Sequence, residues 1–227
     1  MAAASFPDAE TWHVDTPVGK IEAKLSVPLG EKATAIVLLI HGMSAQPEIV
    51  FEWTFLMEVR PLLQLQALRN ISLFAEVTGH RGSPADAVVA LEAIAGWMQE
   101  TAGPVPLFVY GKSWGGARAV ELCQQLREHG RPPSGICLAC PVPPGEALQG
   151  LGIPALLAWA EDDAVIPFAE HELLLQALRC EDARSIFVPV QVGGHRIDKM
   201  AESDERLAAK LDEWPDLVLG PLASLRR

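Results

Sequence analysis

Residues 107–120 read LFVYGKSWGGARAV, and this stretch decides the fold. It opens with an apolar run of strand length. It ends in a segment that continues to residue 129 and keeps apolar side chains on one helical face, at Ala119, Leu122, Cys123 and Leu126. The glycines between the two halves, at positions 111, 115 and 116, predict a tight turn in which a buried strand passes directly into a helix.

Two different sites could use the letters GKS at 111–113. A phosphate-binding P-loop needs G-x-x-x-x-G-K-[ST], and its first glycine would stand where the chain has Pro106. The residues after Pro106 read as a strand and cannot wrap a phosphate with their N–H groups. The stretch fits G-x-S-x-G instead, which holds a nucleophilic serine, here Ser113, on a sharp strand-to-helix turn. The plainer alternative is an ordinary junction in which Ser113 caps the helix.

Apolar runs alternate with amphipathic segments along the whole chain, the pattern of an α/β fold with a mostly parallel sheet of about eight strands and helices on both faces. Continuous hydrophobicity indicates strands that are covered on both faces. These runs lie at 35–40, 71–77, 106–111, 135–141, 154–160 and 185–192. In residues 11–17 and 19–28 apolar and polar residues alternate more, which predicts an antiparallel pair of strands at one edge of the sheet.

Amphipathic segments predict helices over 84–100, 114–129 and 167–179. A further helix is predicted over 203–214, with Ser203 as its N-cap, and another around 53–69 with a break at Pro61.

Length and charge limit the class of protein. A chain of 227 residues, 49% of them hydrophobic, can bury one core, and we expect a single domain over 1–227. The net charge of −11 argues against a nucleic-acid partner, which needs a basic face. No apolar run is long enough to span a membrane, and the start lacks a secretory signal pattern. A soluble cytoplasmic protein is expected, and its oligomeric state is left open.

Four cysteines are too few for a disulfide framework. Cys137 and Cys140 form C-x-x-C, which can indicate redox chemistry or half of a zinc site. They lie in a predicted strand, where an offset of three places side chains on opposite faces. No second pair completes a metal site, so buried, inert thiols are expected and no metal or cofactor is predicted.

A nucleophilic serine needs a base and an acid that orients the base. Glu161, Asp162 and Asp163 follow the predicted strand 154–160, and His195 follows the strand 185–192. Because the carboxyl ends of parallel strands meet at one edge of the sheet, we expect these side chains to lie near Ser113. Either aspartate could be the acid, and either could be a solvated turn residue.

Residues 35–214 resemble the α/β-hydrolase superfamily. Its acid motif D-x-[VI]-[VI]-P matches the five residues from Asp163 to Pro167, which favours Asp163 over Asp162, and its Gly-His motif matches His195. The resemblance implies a triad of Ser113, Asp163 and His195. It also implies an oxyanion hole built from the backbone N–H groups of Trp114 and Met43, the latter in a loop that resembles the H-G-x signature.

The resemblance implies hydrolysis of a carboxylic ester or thioester of a small acyl substrate, without metal or organic cofactor. Residues 141–154 are too few for a cap domain, as in carboxylesterase-like and dienelactone-hydrolase-like members. True dienelactone hydrolases use a cysteine nucleophile, so Ser113 argues against that particular activity. Lys112, the variable residue of G-x-S-x-G, is expected to be solvated. The alternative is a non-catalytic protein of the same fold that binds a ligand or a partner.

Overall fold

The computed structural model describes residues 10–26, 35–42, 71–76, 84–145, 151–182 and 184–219. The described strands are β1 (Glu10–Thr16), β2 (Gly19–Ser26), β3 (Ala35–Ile40), β4 (Ile71–Glu76), β5 (Leu107–Lys112), β6 (Gly135–Ala139), β7 (Ala155–Ala160) and β8 (Ile186–Val190). The described helices are α1 (Pro84–Ala102), α2 (Trp114–Glu128), α3 (His171–Glu181), α4 (Ile197–Ser203) and α5 (Glu205–Leu219). A short 3₁₀ turn, Phe168–Glu170, leads into α3.

These strands form one sheet in the order β1-β2-β4-β3-β5-β6-β7-β8. The six strands from β4 to the β8 edge are parallel, and β1 and β2 are antiparallel at the other edge. The α/β class, the mostly parallel sheet and the antiparallel edge pair are therefore confirmed. Strand β3 pairs with β4 on one side and with β5 on the other, so the strand order reverses there, and in open α/β sheets ligands bind at the carboxyl ends of the strands at such a point.

Helices cover both faces of the sheet. On one face of β5, the ring of Phe108 packs against Trp214 of α5 with the centroids 5.1 Å apart. Gly111 lies three residues further along β5 and so faces the opposite side, where α2 approaches it through Ala119. Coverage on both faces explains why β3, β5, β6 and β7 are buried along their whole length and, apart from Lys112 at the end of β5, carry no charged side chain.

The structure corrects the predicted N-cap of the last helix. Ser203 is the final residue of α4, a short helix that the pattern did not predict, and its hydroxyl donates to Val192 O. Asp204 caps α5 instead, because its Oδ1 accepts the Arg206 N–H at 2.9 Å. The helix then continues past Pro215, beyond the predicted end. The helix predicted around 53–69 lies outside the described residues.

No helix in the described part of the chain is both long and apolar enough to cross a bilayer.

Candidate active site

Ser113 occupies the turn between β5 and α2 in a strained conformation, with φ 53° and ψ −126°. Its N–H donates to Ala139 O at 3.0 Å, and its carbonyl accepts the Val142 N–H at 2.8 Å. These contacts from the segment at the end of β6 hold a backbone geometry that a residue with a Cβ rarely adopts. The Ser113 side chain makes no capping hydrogen bond, so the alternative of an ordinary helix cap does not describe it.

The glycines of the turn are required by close contacts. A Cβ on Gly115 would lie 2.2 Å from His41 O, and a Cβ on Gly116 would lie 2.4 Å from the Cβ of Pro141. On Gly111 it would lie 2.6 Å from the Cβ of Ala119. All three distances are far below a normal contact, so the turn packs this tightly only with glycine.

Asp163 and His195 are brought together at the ends of β7 and β8. His195 Nδ1 lies 2.8 Å from Asp163 Oδ2. The other carboxylate oxygen accepts the N–H groups of Val165 and Ile166 at 2.8 and 3.0 Å. The carboxylate of Asp163 is fully buried, whereas the His195 side chain is 16% exposed. The Asp163 carboxylate is therefore held by three donors, and the His195 imidazole keeps an edge toward solvent.

Opposing effects set the protonation of this pair. Burial alone would raise the pKa of Asp163, but hydrogen bonds from His195, Ile166 and Val165 outweigh it and hold the pKa below the usual aspartate value. Burial lowers the pKa of His195, and repulsion from Lys112 lowers it further, against the opposing effect of Asp163. At neutral pH the pair is thus a carboxylate and a neutral imidazole.

Trp159 supports the loop that carries Asp163. Its indole is fully buried, and its Nε1–H donates to Ile166 O at 3.2 Å. Asp163 bonds to the N–H of the same Ile166, so the strand end and the loop are joined at two points. Trp159 therefore belongs to the core behind this loop.

Lys112 is buried, with 5% exposure, so the prediction of a solvated side chain is wrong. The reason is that β5 continues one residue further than predicted and includes Lys112, which therefore belongs to the covered sheet rather than to the turn. Its ammonium lies close enough to affect the proton affinity of His195. A lysine at the end of an apolar strand gives no sequence signal for this placement.

Cys140 also lies at the site. Strand β6 ends at Ala139, so Cys140 stands in the following turn with φ 42° and does not share the strand with Cys137. Both thiols are buried, as expected. Ser113 and Cys140 are the described non-glycine residues with positive φ, and Cys140 lies beside the pair of Asp163 and His195.

The donor atoms of Cys140, Asp163 and His195 lie within 4.8 Å of one another, and sulfur, nitrogen and oxygen are ligands that zinc accepts. A metal ion here would have to replace the proton between His195 and Asp163 and also remove the thiol proton. Burial, the nearby charge of Asp163 and a hydrogen bond to that carboxylate raise the pKa of the Cys140 thiol. Metal binding would therefore compete directly with the hydrogen bond between Asp163 and His195.

Of the two predicted oxyanion donors, the structure describes one. Trp114 is the first residue of α2, where N–H groups point out of the helix start. The guanidinium of Arg118 lies 4.7 Å above its ring. Met43 lies outside the described residues, but the preceding Gly42 is adjacent to the serine, because a Cβ on Gly42 would lie 3.1 Å from the Cβ of Ser113.

No family model matches the chain. Solved structures resemble it over nearly its full length. XC6422 from Xanthomonas campestris, described as an α/β serine hydrolase without lid, shares 15% identity over 95% of this chain and 98% of its own, with a TM-score of 0.69. The esterase from Pyrobaculum calidifontis shares 18% over 92% and 86%, with a TM-score of 0.69. Est1E from Butyrivibrio proteoclasticus shares 12% over 90% and 97%, with a TM-score of 0.68.

The chain therefore has the α/β-hydrolase fold. Residues 140–154 separate β6 from β7 and leave no room for a cap domain at that position.

Proposed function

We propose that the protein is a serine hydrolase that cleaves a carboxylic ester or thioester of a small acyl substrate. The observation that carries the proposal is the 2.8 Å contact between Asp163 and His195 at the same sheet edge where Ser113 stands in a strained strand-to-helix turn. The similar structures include an esterase and a serine hydrolase, which supports the same class of reaction.

In the proposed mechanism His195 donates its Nδ1–H to Asp163, which leaves Nε2 to take the proton of the Ser113 hydroxyl. The Ser113 oxygen attacks the acyl carbonyl and forms a tetrahedral intermediate. The imidazolium then returns the proton to the leaving alcohol or thiol, and an acyl-enzyme remains. Water, activated by the same imidazole, releases the acid and restores Ser113.

We assign the stabilisation of the oxyanion to the backbone N–H groups of Trp114 and Met43. The start of α2 adds its partial positive charge at the Trp114 end. One such donor contributes about 10²–10³-fold in turnover in comparable sites. The buried charge of Lys112 disfavours protonation of His195 and so keeps the base available at neutral pH.

Every step of the proposed mechanism uses side chains or backbone groups of this chain, and none requires a cofactor. The net charge of −11 supports a small-molecule partner over nucleic acid. A single domain over 1–227 and a cytoplasmic location stay predictions.

The test is labelling with a fluorophosphonate probe, followed by turnover of p-nitrophenyl esters of increasing acyl length. We expect Ser113→Ala to lose both labelling and turnover while its circular dichroism spectrum stays that of the wild type. Ser134→Ala, at the amino end of β6, is the matched control and should keep both. Retained turnover in Ser113→Ala would place the nucleophile elsewhere. Absence of labelling and turnover in the wild type would favour the non-catalytic alternative.

A paired comparison tests the acid. Asp163→Asn should reduce kcat by about 10⁴-fold, the size seen when a triad acid is replaced by its amide. The amide cannot stabilise the imidazolium and offers the ring the wrong hydrogen-bond partner. Asp162→Asn keeps an oxygen toward its own partners and should remain within about threefold of the wild type. Equal losses in the two variants would contradict the assignment of Asp163.

A further inference from the structure

The two adjacent aspartates at the end of β7 both contact the segment that carries His195, but at different atoms. Asp163 contacts the imidazole ring. Asp162 contacts the backbone just before it: Oδ1 accepts the Gly194 N–H at 2.7 Å, and Oδ2 accepts the Gly193 N–H at 3.3 Å. We propose that Asp162 is a positioning residue that holds the backbone of the His195 segment. This inference rests on the proposed function, because the position of His195 affects turnover only if His195 is the base.

The backbone of Gly193 and Gly194 is shaped for this contact. Their φ values are 147° and 57°, which glycine adopts without strain and other residues rarely adopt. In this conformation the N–H groups of both glycines point toward the Asp162 carboxylate, one to each oxygen. Hydrogen bonds to an ionised acceptor are about twice as strong as those between neutral groups.

The segment is confined from its other side by α4. A Cβ on Gly193 would lie 2.8 Å from the backbone nitrogen of Met200, so the turn packs directly against that helix. The strands before the turn are joined by a hydrogen bond from Glu161 N–H to Val190 O at 2.8 Å. Beyond the ends of β7 and β8, Asp162 links the two loops through its hydrogen bond with Gly194, the residue directly before His195.

Asp162 itself is exposed, so its carboxylate is held at this position by the two N–H groups rather than by burial. The alternative for this residue is a turn aspartate that is merely solvated. Such a residue would not have both carboxylate oxygens bonded to consecutive backbone amides. Because Asp162 is exposed, removal of its carboxylate should loosen the His195 segment without leaving a cavity in the core. An effect on the position of His195 can therefore be measured without loss of the fold.

The experiment compares Asp162→Ala and Asp162→Asn with Glu161→Gln, which removes a neighbouring exposed charge. In Asp162→Ala we expect the Gly193 and Gly194 amides to exchange with solvent about tenfold faster or more, the effect of losing a hydrogen bond to a charged group. For p-nitrophenyl acetate, kcat should fall by about 10–100-fold, as for a displaced catalytic group. KM should stay close to the wild-type value because the Asp162 carboxylate contacts the backbone before His195 and is not proposed to contact the substrate. Asp162→Asn should recover most of both losses, since its Oδ1 can still accept from Gly194.

Unchanged amide exchange in Asp162→Ala would overturn the proposal, as would an equal loss of kcat in Glu161→Gln or no recovery in Asp162→Asn. The exchange measurement does not depend on catalysis. If the wild type hydrolyses no ester, the proposed function fails, and faster exchange of the two glycine amides in Asp162→Ala still establishes the backbone contact.

Discussion

One substitution, glycine to alanine, should change stability in opposite directions at two helical positions. At Gly115, in the first turn of α2, the new Cβ would lie 2.2 Å from His41 O and 2.4 Å from Ile40 O. Both obstacles are backbone atoms at the end of β3 and cannot rotate away. At Gly96, in the middle of α1, the new Cβ would meet only the Arg131 guanidinium at 3.5 Å, an ordinary contact.

The magnitudes follow from these distances. To reach a tolerable separation of about 3 Å, α2 and the end of β3 must part by close to 1 Å, and we expect Gly115→Ala to destabilise by about 3 kcal/mol. For a domain of this size that lowers Tm by about 6–12 °C. Gly96→Ala should stabilise by about 0.5–1 kcal/mol because alanine has the higher helix propensity.

The assay is urea unfolding followed by circular dichroism, with p-nitrophenyl acetate turnover measured below the transition. Turnover of folded Gly115→Ala should also fall, because the displaced carbonyls belong to the segment that leads to Gly42 and so to Ser113. If Gly115→Ala unfolds at the same urea concentration as the wild type, or shifts in the same direction as Gly96→Ala, the close approach of α2 and β3 is wrong.

Two further predictions concern titration. The acidic limb of kcat/KM should have its midpoint below the ordinary histidine value of about 6.5, since the pKa of His195 is lowered and the imidazole must be neutral to act as base. Lys112→Met should move that midpoint to higher pH, whereas Lys20→Met, on the distant β1–β2 hairpin, should not. A midpoint that Lys112→Met leaves in place would contradict the repulsion. Secondly, Cys123, Cys137 and Cys140 are buried with raised pKa values. In a Cys180→Ser background, Ellman's reagent should therefore react only after unfolding in guanidinium, and rapid reaction of the native protein would show that one of these thiols is accessible.

The sheet was predictable because its strands are covered on both faces. A continuous apolar run such as 35–40 is typical of a buried strand, and the structure has β3 at those residues. The strand-to-helix turn was predictable for a different reason. Glycines at 111, 115 and 116 are spaced for close packing, and the structure shows contacts at all three that only glycine accommodates.

The ends of the elements were less predictable, and the site depends on them. The run 135–141 gives no sign that β6 stops at Ala139, so the direction of the Cys140 side chain could not be deduced. Lys112 was predicted to be solvated, but β5 extends one residue further than predicted and includes Lys112, so its side chain is buried. The different contacts of Asp162 and Asp163 depend on the shape of a turn, which a sequence pattern does not encode.

The strand order has a consequence for how the protein reaches its native state. From β5 to β8 each strand pairs with the next one along the chain, so the strand pairings within the segment from 107 to 195 join neighbours in sequence. Ser113, Asp163 and His195 all belong to that segment. The β1–β4 half, in contrast, joins it through the pairing of β3 with β5, which spans the long interval from 40 to 107. Contacts between residues close in sequence form faster than distant ones, so we expect the pairing of β5 to β8, whose ends carry Ser113, Asp163 and His195, to form before the pairing of β3 with β5.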